Sequence, residues 1–263
     1  MRDQARELKR SADALWAESC ARYPGSELER LEVFFAVARG EATPPDPGPQ
    51  RALHSRLYVP GLTERPWWDA HAFPLARRLE SRFPLIREEA VRLLSKPWVF
   101  RSHPGRSGSS PAKDPQSPLE GEWRGYYLQR HLRRVPSTAA EAPVALRTLD
   151  EVPPAREALM SFLGPHSRIK EHSDKVNFVV TLYLPLFSDG AWISFGGQRR
   201  TWIDGRCMAA DSSYYHESVN TSDVWRGLML VDLWHPELSE IERTVLERAV
   251  PRLNDVLLWG APN

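Results

Sequence analysis

The sequence predicts a mainly β protein, an antiparallel barrel or jelly-roll sandwich with helices at both ends. Three observations predict it. From Glu122 to Trp234 the chain reads as short β-rich runs, several parted by turn residues such as Ser188-Asp189-Gly190, Gly196-Gly197 and Asp204-Gly205. Before and after that stretch, apolar residues recur at helical spacing instead. The length, 263 residues, suffices for one large domain with a proper core, or one domain with an appendage.

Residues 1–50 read as a helical hairpin and a Pro-rich connector. Leu8, Ala12, Leu15, Trp16 and Cys20 make one helical stripe, Pro24-Gly25 ends it, and Ser26 offers a cap for the second helix. Leu28, Leu31, Phe34, Phe35 and Ala38 make the second stripe, and Glu41–Gln50 is the connector. Two roles stand open for the hairpin: packing on the main body, or serving as a partner-binding appendage. Residues 51–263 form the main domain. Tyr58–Leu62 reads as an extended segment and turn, and Trp67 and Trp68 precede a predicted helix from Leu75 to Leu94. The apolar face of that helix is Leu75, Leu79, Phe83, Ile86, Ala90, Val91 and Leu94. Ser102–Gly121 is rich in Ser, Pro and Gly and reads as a flexible loop, either a lid over a site or an insertion.

The predicted strands are Trp123–Leu128, Ala158–Leu163, Arg168–Lys170, Asn177–Leu186, Ala191–Phe195, Arg199–Ile203, Arg206–Ala210, Ser213–Glu217 and Arg226–Trp234. A last helix comes after them, opened by the capping box Ser239-x-x-Glu242, with Ile241, Val245, Leu246 and Ala249 on its apolar face.

Composition excludes several function classes. Lys and Arg number 35 against 34 Asp and Glu, so nothing suggests a polyanion-binding surface and no nucleic-acid partner is expected. Two cysteines, Cys20 and Cys207, build no disulfide framework, and a reducing, cytoplasmic setting is the expectation. No secretory signal opens the chain, and no apolar run of about 18 residues predicts a membrane span. The oligomeric state is not legible.

The chemistry concentrates around "KEHSDKVNFVVTLYLPL", Lys170–Leu186, where His172 and Asp174 stand directly before a long apolar run. A His-x-acid pair is common by chance, and His235-Pro236-Glu237 is a second one. It has no later histidine to complete it, and it sits at the approach to the last helix, so His235 reads as structural. The first pair does have partners. His216 lies in a later β-like run, and Arg226 opens the strongly apolar strand "RGLMLVDLW". Two histidines and a carboxylate on one face of a metal leave positions open for other ligands, the pattern of non-haem Fe(II) oxygenases. An arginine at the start of an apolar strand invites a buried carboxylate in a bidentate pair. Taken singly, His172-Ser173-Asp174 is equally a capped turn and His216 a satisfied core histidine; order and strand context favour the site.

These residues, with "LYVPGLTERPWWD", "MSFLGPHSRIKEHSDKVN" (Met160–Asn177), "RRTWIDGRCMAADSSYYHESVN" (Arg199–Asn220) and "VDLWHPELSEIE" (Val231–Glu242), resemble the aspartyl/asparaginyl β-hydroxylase family of Fe(II)/2-oxoglutarate oxygenases. The likeness runs from about Arg56 to Glu242, and its last segment is the most specific. It implies a double-stranded β-helix (jelly-roll, cupin-like) core, with His172 and His216 as iron ligands and Arg226 and Ser161 on the distal carboxylate of 2-oxoglutarate. Asn177 matches a polar position beyond the first ligand. Two departures stand out. Asp174 occupies a position that is glycine in the better-known members, so a His172, Asp174 and His216 triad is expected. In the next strand Thr181 and Tyr183 replace the arginine and histidine of a Leu-Arg-x-His-Leu pattern. Tyr183 still offers a hydroxyl to 2-oxoglutarate, whereas Thr181 has no charge to pair with an acidic substrate.

The resulting expectation is a dioxygenase using Fe(II), 2-oxoglutarate and O2 to hydroxylate an unactivated C–H of an amino-acid side chain, on a peptide or a small molecule. The alternatives are hydroxylation of another small molecule or a lipid acyl chain, or a non-catalytic metal-binding interaction protein.

Overall fold

The β-rich half of the chain folds into two antiparallel sheets that share an interior. The computed structural model describes residues 2–96, 119–136 and 140–259. Its strands are β1 (Trp67–Trp68), β2 (Leu119–Glu120), β3 (Trp123–Arg130), β4 (Arg133–Arg134), β5 (Ala158–Leu163), β6 (Arg168–His172), β7 (Val179–Phe187), β8 (Ala191–Phe195), β9 (Gln198–Thr201), β10 (Met208–Ala210), β11 (His216–Asn220) and β12 (Arg226–Trp234). The helices are α1 (Arg2–Arg22), α2 (Glu29–Arg39), α3 (Pro74–Ser81), α4 (Phe83–Leu94), α5 (Pro143–Glu151) and α6 (Glu240–Trp259). No helix among the described residues is long and apolar enough to cross a membrane.

The larger sheet runs β1-β10-β7-β12-β5-β3-β4 and the smaller β2-β6-β11-β8-β9. The chain crosses between the sheets, so β12 pairs with both β5 and β7, and β11 with both β6 and β8. This is the expected double-stranded β-helix. It also explains the texture of the sequence. β7 and β12 are buried on both faces and read as continuous apolar runs. β8 and β11 have one face toward solvent, and their burial alternates.

Three apolar cores result. The outer face of the larger sheet (Met160, Phe162, Leu182, Leu184, Met229, Val231) packs on Leu75, Leu79, Ile86 and Ala90 of α3 and α4 and on Leu149 of α5. The barrel interior holds Tyr183 and Leu228 of the larger sheet against Ile193 and Phe195 of the smaller. In the third, Leu15, Phe34 and Phe35 meet Phe178 and, on α6, Leu246, Ala249 and Leu253. The N-terminal hairpin therefore packs on the body. Glu242 fastens it: its carboxylate accepts from Arg30 Nε at 2.7 Å. The same residue completes the predicted capping box, taking the Ser239 amide at 2.8 Å while its own amide donates to Ser239 Oγ at 3.1 Å.

Several expectations are corrected. The Leu75–Leu94 helix is two helices broken at Arg82, because Pro84 has no N–H to offer the preceding turn and its ring clashes there. Val91 is 47% exposed, and Leu93 takes the core position. Cys20 is exposed, with Ser19 buried in its place and bonded to the Leu15 carbonyl. Ser26 caps nothing; it lies in a short 3₁₀ turn, and Leu28 at the start of α2 makes no side-chain cap. The Ser102–Gly121 loop lies outside the described residues as far as 118, and Leu119–Glu120 is a strand on β6. α5 was not anticipated. Ala142 at its head cannot cap it, and the buried Glu89 of α4 does so instead, accepting the Val144 and Ala145 amides at 2.6 and 3.0 Å. β11 starts at His216 rather than Ser213, because the Ser213 amide closes a turn on the Asp211 side chain at 2.9 Å.

Replacing Glu242 by Ala removes a cap and a charged hydrogen bond in one step. It is expected to lower stability by about 2–3 kcal/mol in urea unfolding. A loss within about 0.5 kcal/mol would mean that this contact does not fasten the hairpin.

Candidate metal centre

His172 ends β6 and His216 begins β11, and the antiparallel register sets them directly opposite each other. A bulge in β6, where the pairing steps from His172 to Ile169 against His216 and Ser218, re-aims the strand end. The ring centroids lie 4.2 Å apart. Each Nδ1 faces a backbone carbonyl two residues back, His172 to Lys170 at 2.8 Å and His216 to Tyr214 at 2.9 Å. A carbonyl only accepts, so each Nδ1 carries the proton and each Nε2 keeps a lone pair, the tautomer a metal requires. Burial, opposed in part by the charge of Asp174, lowers the His216 pKa to about 4, so its ring is neutral at neutral pH. Phe195 stacks on His216 at 4.7 Å and fixes the ring plane.

The turn carrying Asp174 is tied to the turn before His216. The Ser173 hydroxyl donates to the Ser213 carbonyl at 2.7 Å, and the Asp174 amide donates to the Ser212 carbonyl at 2.9 Å. Asp174 thereby faces the histidines rather than backbone amides. The ligand atoms of His172, Asp174 and His216 lie within 4.8 Å of one another, the one such group among the described residues. Burial disfavours the Asp174 charge. Electrostatic interaction with His216, Arg156 and His172 outweighs it, and the carboxyl stays below its ordinary value.

Arg226 lies deeper, 2% exposed. Its Nη1 reaches the Ser161 carbonyl and hydroxyl at 3.3 Å, and its Nη2 reaches Ser218 Oγ at 3.3 Å. Its Nε has no partner, and no carboxylate pairs with it among the described residues. Burial lowers its pKa to about 9. A buried guanidinium with long, incomplete hydrogen bonds costs several kcal/mol until an anion arrives. Ser161 is oriented by the Trp123 indole, which donates to its Oγ at 2.8 Å. That indole fits only because Gly125 has no side chain: a Cβ there would lie 2.5 Å from the ring. Tyr183 shares this interior, within the field of Arg226, and burial lifts its phenol well above the ordinary value.

Asn177 stands elsewhere. Its amide brackets Val59, donating to the carbonyl at 2.7 Å and accepting the N–H at 3.1 Å, so it fastens the 58–62 segment instead of holding a cofactor. His235 is structural as read. It meets the Thr63 carbonyl at 3.1 Å and the Trp68 ring at 5.0 Å, while Glu237 accepts the Thr63 amide at 2.8 Å.

Arg156 was missed. Its Nε donates to Asp232 at 3.0 Å, its Nη2 lies 3.8 Å from Asp174, and the Thr181 hydroxyl donates to the other oxygen of Asp232 at 2.8 Å. Burial works against its charge, and Asp232, Asp174 and Glu157 outweigh it, so its pKa is raised. One signal was present: Asp232 shares the alternating face of Arg226, Leu228 and Leu230, and an inward acid on such a strand demands a cation.

The model of a family described as aspartyl/asparaginyl beta-hydroxylase matches residues 80–236. Human aspartyl/asparaginyl beta-hydroxylase is 26% identical over 207 residues, covering 75% of this chain and 26% of the human protein. The chain thus spans about a quarter of the length of that relative. The ornithine lipid ester-linked acyl 2-hydroxylase of Rhizobium tropici is 24% identical over 179 residues, covering 66% of this chain and 62% of that protein. A solved cupin 2 conserved barrel domain protein from Salinispora arenicola aligns with 49% of this chain and 87% of its own at 15% identity and a TM-score of 0.32.

Calorimetric titration with Co(II) is expected to show one site. His172→Ala and His216→Ala should each weaken it by more than the roughly 10–100-fold that outer-sphere changes cost, and Asp174→Gly by about tenfold or more. Wild-type affinity in Asp174→Gly would reduce the centre to two histidines.

Proposed function

The chain belongs to the aspartyl/asparaginyl beta-hydroxylase family, and from that premise we propose that it is an Fe(II)- and 2-oxoglutarate-dependent dioxygenase hydroxylating an unactivated C–H of an amino-acid side chain. One observation carries the reading: a three-donor cluster stands in the same interior as a buried guanidinium that lacks an anion. Two imidazole nitrogens and one carboxylate oxygen are a donor set that suits Fe(II) and leaves open positions. His172, Asp174 and His216 would hold the ion. Bound there, it supplies the redox chemistry that couples O2 to decarboxylation of 2-oxoglutarate, giving succinate and CO2.

The chain's own residues bind, orient and shield. The 2-oxoglutarate dianion needs a fixed positive group at its far end, and Arg226 is pre-set for it, with Nε unsatisfied and Nη1 beside Ser161 Oγ. A carboxylate arriving there relieves the cost of burying the guanidinium, which makes affinity out of stored instability. Ser161 has its oxygen engaged by Trp123 and keeps its own proton to donate. The Tyr183 phenol stays protonated, a donor for the same carboxylate. Ile193, Phe195, Trp67 and Leu228 line the interior with apolar surface that excludes water.

A second reading, oxidation of an acyl chain or another small molecule, rests on Thr181: its hydroxyl is spent on Asp232 and offers no charge to an acidic residue. The Rhizobium tropici relative named as an acyl 2-hydroxylase supports the same direction.

Purified protein with Fe(II), ascorbate and 2-oxoglutarate is expected to form succinate. Arg226→Ala should raise the KM for 2-oxoglutarate by about a hundredfold. No succinate and no 2-oxoglutarate binding would overturn the proposal, and an unchanged KM would remove Arg226 from this role.

A further inference from the structure

We infer that Arg156 is a specificity-determining residue that receives an anionic group of the substrate, a carboxylate or a phosphate. The inference rests on the oxygenase reading and adds to it the chemical class of one end of the substrate.

The guanidinium is anchored on one side and unspent on the other. Nε donates to Asp232 at 3.0 Å, and the second oxygen of Asp232 is held by Thr181 at 2.8 Å. This fixes the plane of the group. Neither Nη nitrogen makes a hydrogen bond among the described residues, and neither is sealed from solvent, the side chain being 17% exposed. Five N–H donors with one used leave a fork that matches a planar acid or a phosphate. Its one other charged neighbour within ion-pair range is Asp174, 3.8 Å from Nη2, too long for a hydrogen bond. A divalent cation held by His172, Asp174 and His216 would engage that carboxylate, so the Nη fork of Arg156 would keep no acid of its own beyond Asp232 on Nε.

The sheet places this fork against an apolar row. Tyr127, Leu159, Leu230, Tyr183 and Met208 stand side by side across β3, β5, β12, β7 and β10. Asp232 and Thr181, which carry Arg156, form the next row on the same face. Leu230 and Met208 face the interior yet remain partly exposed, so they border open space. A substrate with its acid on Arg156 therefore lays a short stretch of carbon along Leu159 and Leu230, beside the triad. Charges of both signs lie on this side: Arg56 and Lys175 act with Arg156 on His54, Arg130 lies over the Tyr127 ring at 4.9 Å, and the acid Glu157 acts on both Arg156 and Tyr127.

The test needs no turnover. The full chain, loaded with Zn(II) and 2-oxoglutarate, is titrated in saturation-transfer NMR with three probes of similar size. These are the α-amides of N-acetyl-aspartate, N-acetyl-asparagine and N-acetyl-phosphoserine. The wild type is expected to bind one or both anionic probes at least about tenfold more tightly than the neutral one, the amount a charged hydrogen bond contributes. Whichever anion binds more tightly identifies the acid. Arg156→Gln should erase the discrimination, and Arg156→Lys should restore part of it, which a purely structural role would not do. Equal binding of all three probes by the wild type overturns the inference without recourse to any variant. So does discrimination that survives in a folded Arg156→Gln protein. Titrating 2-oxoglutarate separately keeps the two levels apart: its failure to bind counts against the oxygenase reading, and the probe comparison is then repeated with Zn(II) alone.

Discussion

Across β6 and β11 the side-chain period of two admits one register in which His172 and His216 face the same interior, and the rest of the site is arranged around that pair. The register is not left to the short strands alone. Ser173 and Asp174 are hydrogen-bonded to the backbone of Ser213 and Ser212, so the turn leaving one histidine is fastened to the turn leading to the other. Arg51, buried behind that turn, donates to Ser213 Oγ at 3.0 Å and pairs with Asp211 and Glu64. Slipping β6 by one residue would break these bonds and turn His172 toward solvent. The two Nδ1 bonds then decide the tautomers, so position and protonation are set by the same backbone.

From this pair the charges of the interior are ordered by depth. His216 is neutral through burial, Asp174 is kept ionised by its neighbours, and Arg226 at the closed end is held without an anion. A fold tolerates such a guanidinium only when the surrounding packing over-determines it. Here β12 lies between β5 and β7 with apolar cores on both faces. The outer helices thereby contribute to binding: they brace the strand that presents Arg226. On the mouth side Arg156, Asp232 and Thr181 form a second charged group that is internally compensated through one carboxylate. The two guanidiniums differ in kind, one pre-set for an anion at the bottom of the site, the other anchored at its opening.

Much of this was legible in the sequence because it is local. The turn pairs, the apolar runs of β7 and β12 and the capping box at Ser239 each depend on residues close in the chain. His172, Asp174, His216 and Arg226 could be read because their order along the chain matches the order in which the strands present them. What was not legible depends on contacts between distant segments. Glu89 caps a helix on another part of the chain, so α5 has no local start signal. Asn177 sits near the first ligand in sequence, but its amide is drawn to Val59. Arg156 is one arginine among many until Asp232 is seen beside it. The break at Arg82 was local and was overlooked: Pro84 inside an apolar helical pattern marks it.

Everything proposed for the site depends on two pairings: Asp174 joins the two histidines on a metal, and Arg226 holds an acid at the closed end. A crystal structure of the chain grown with Mn(II) and 2-oxoglutarate without oxygen would show both at once. The expected result is one ion bonded to His172 Nε2, His216 Nε2 and an Asp174 oxygen, with the far carboxylate of 2-oxoglutarate paired to Arg226 and touching Ser161. An ion held by the two histidines alone, with no bond to Asp174, would refute the first pairing, and an Arg226 still without a carboxylate would refute the second.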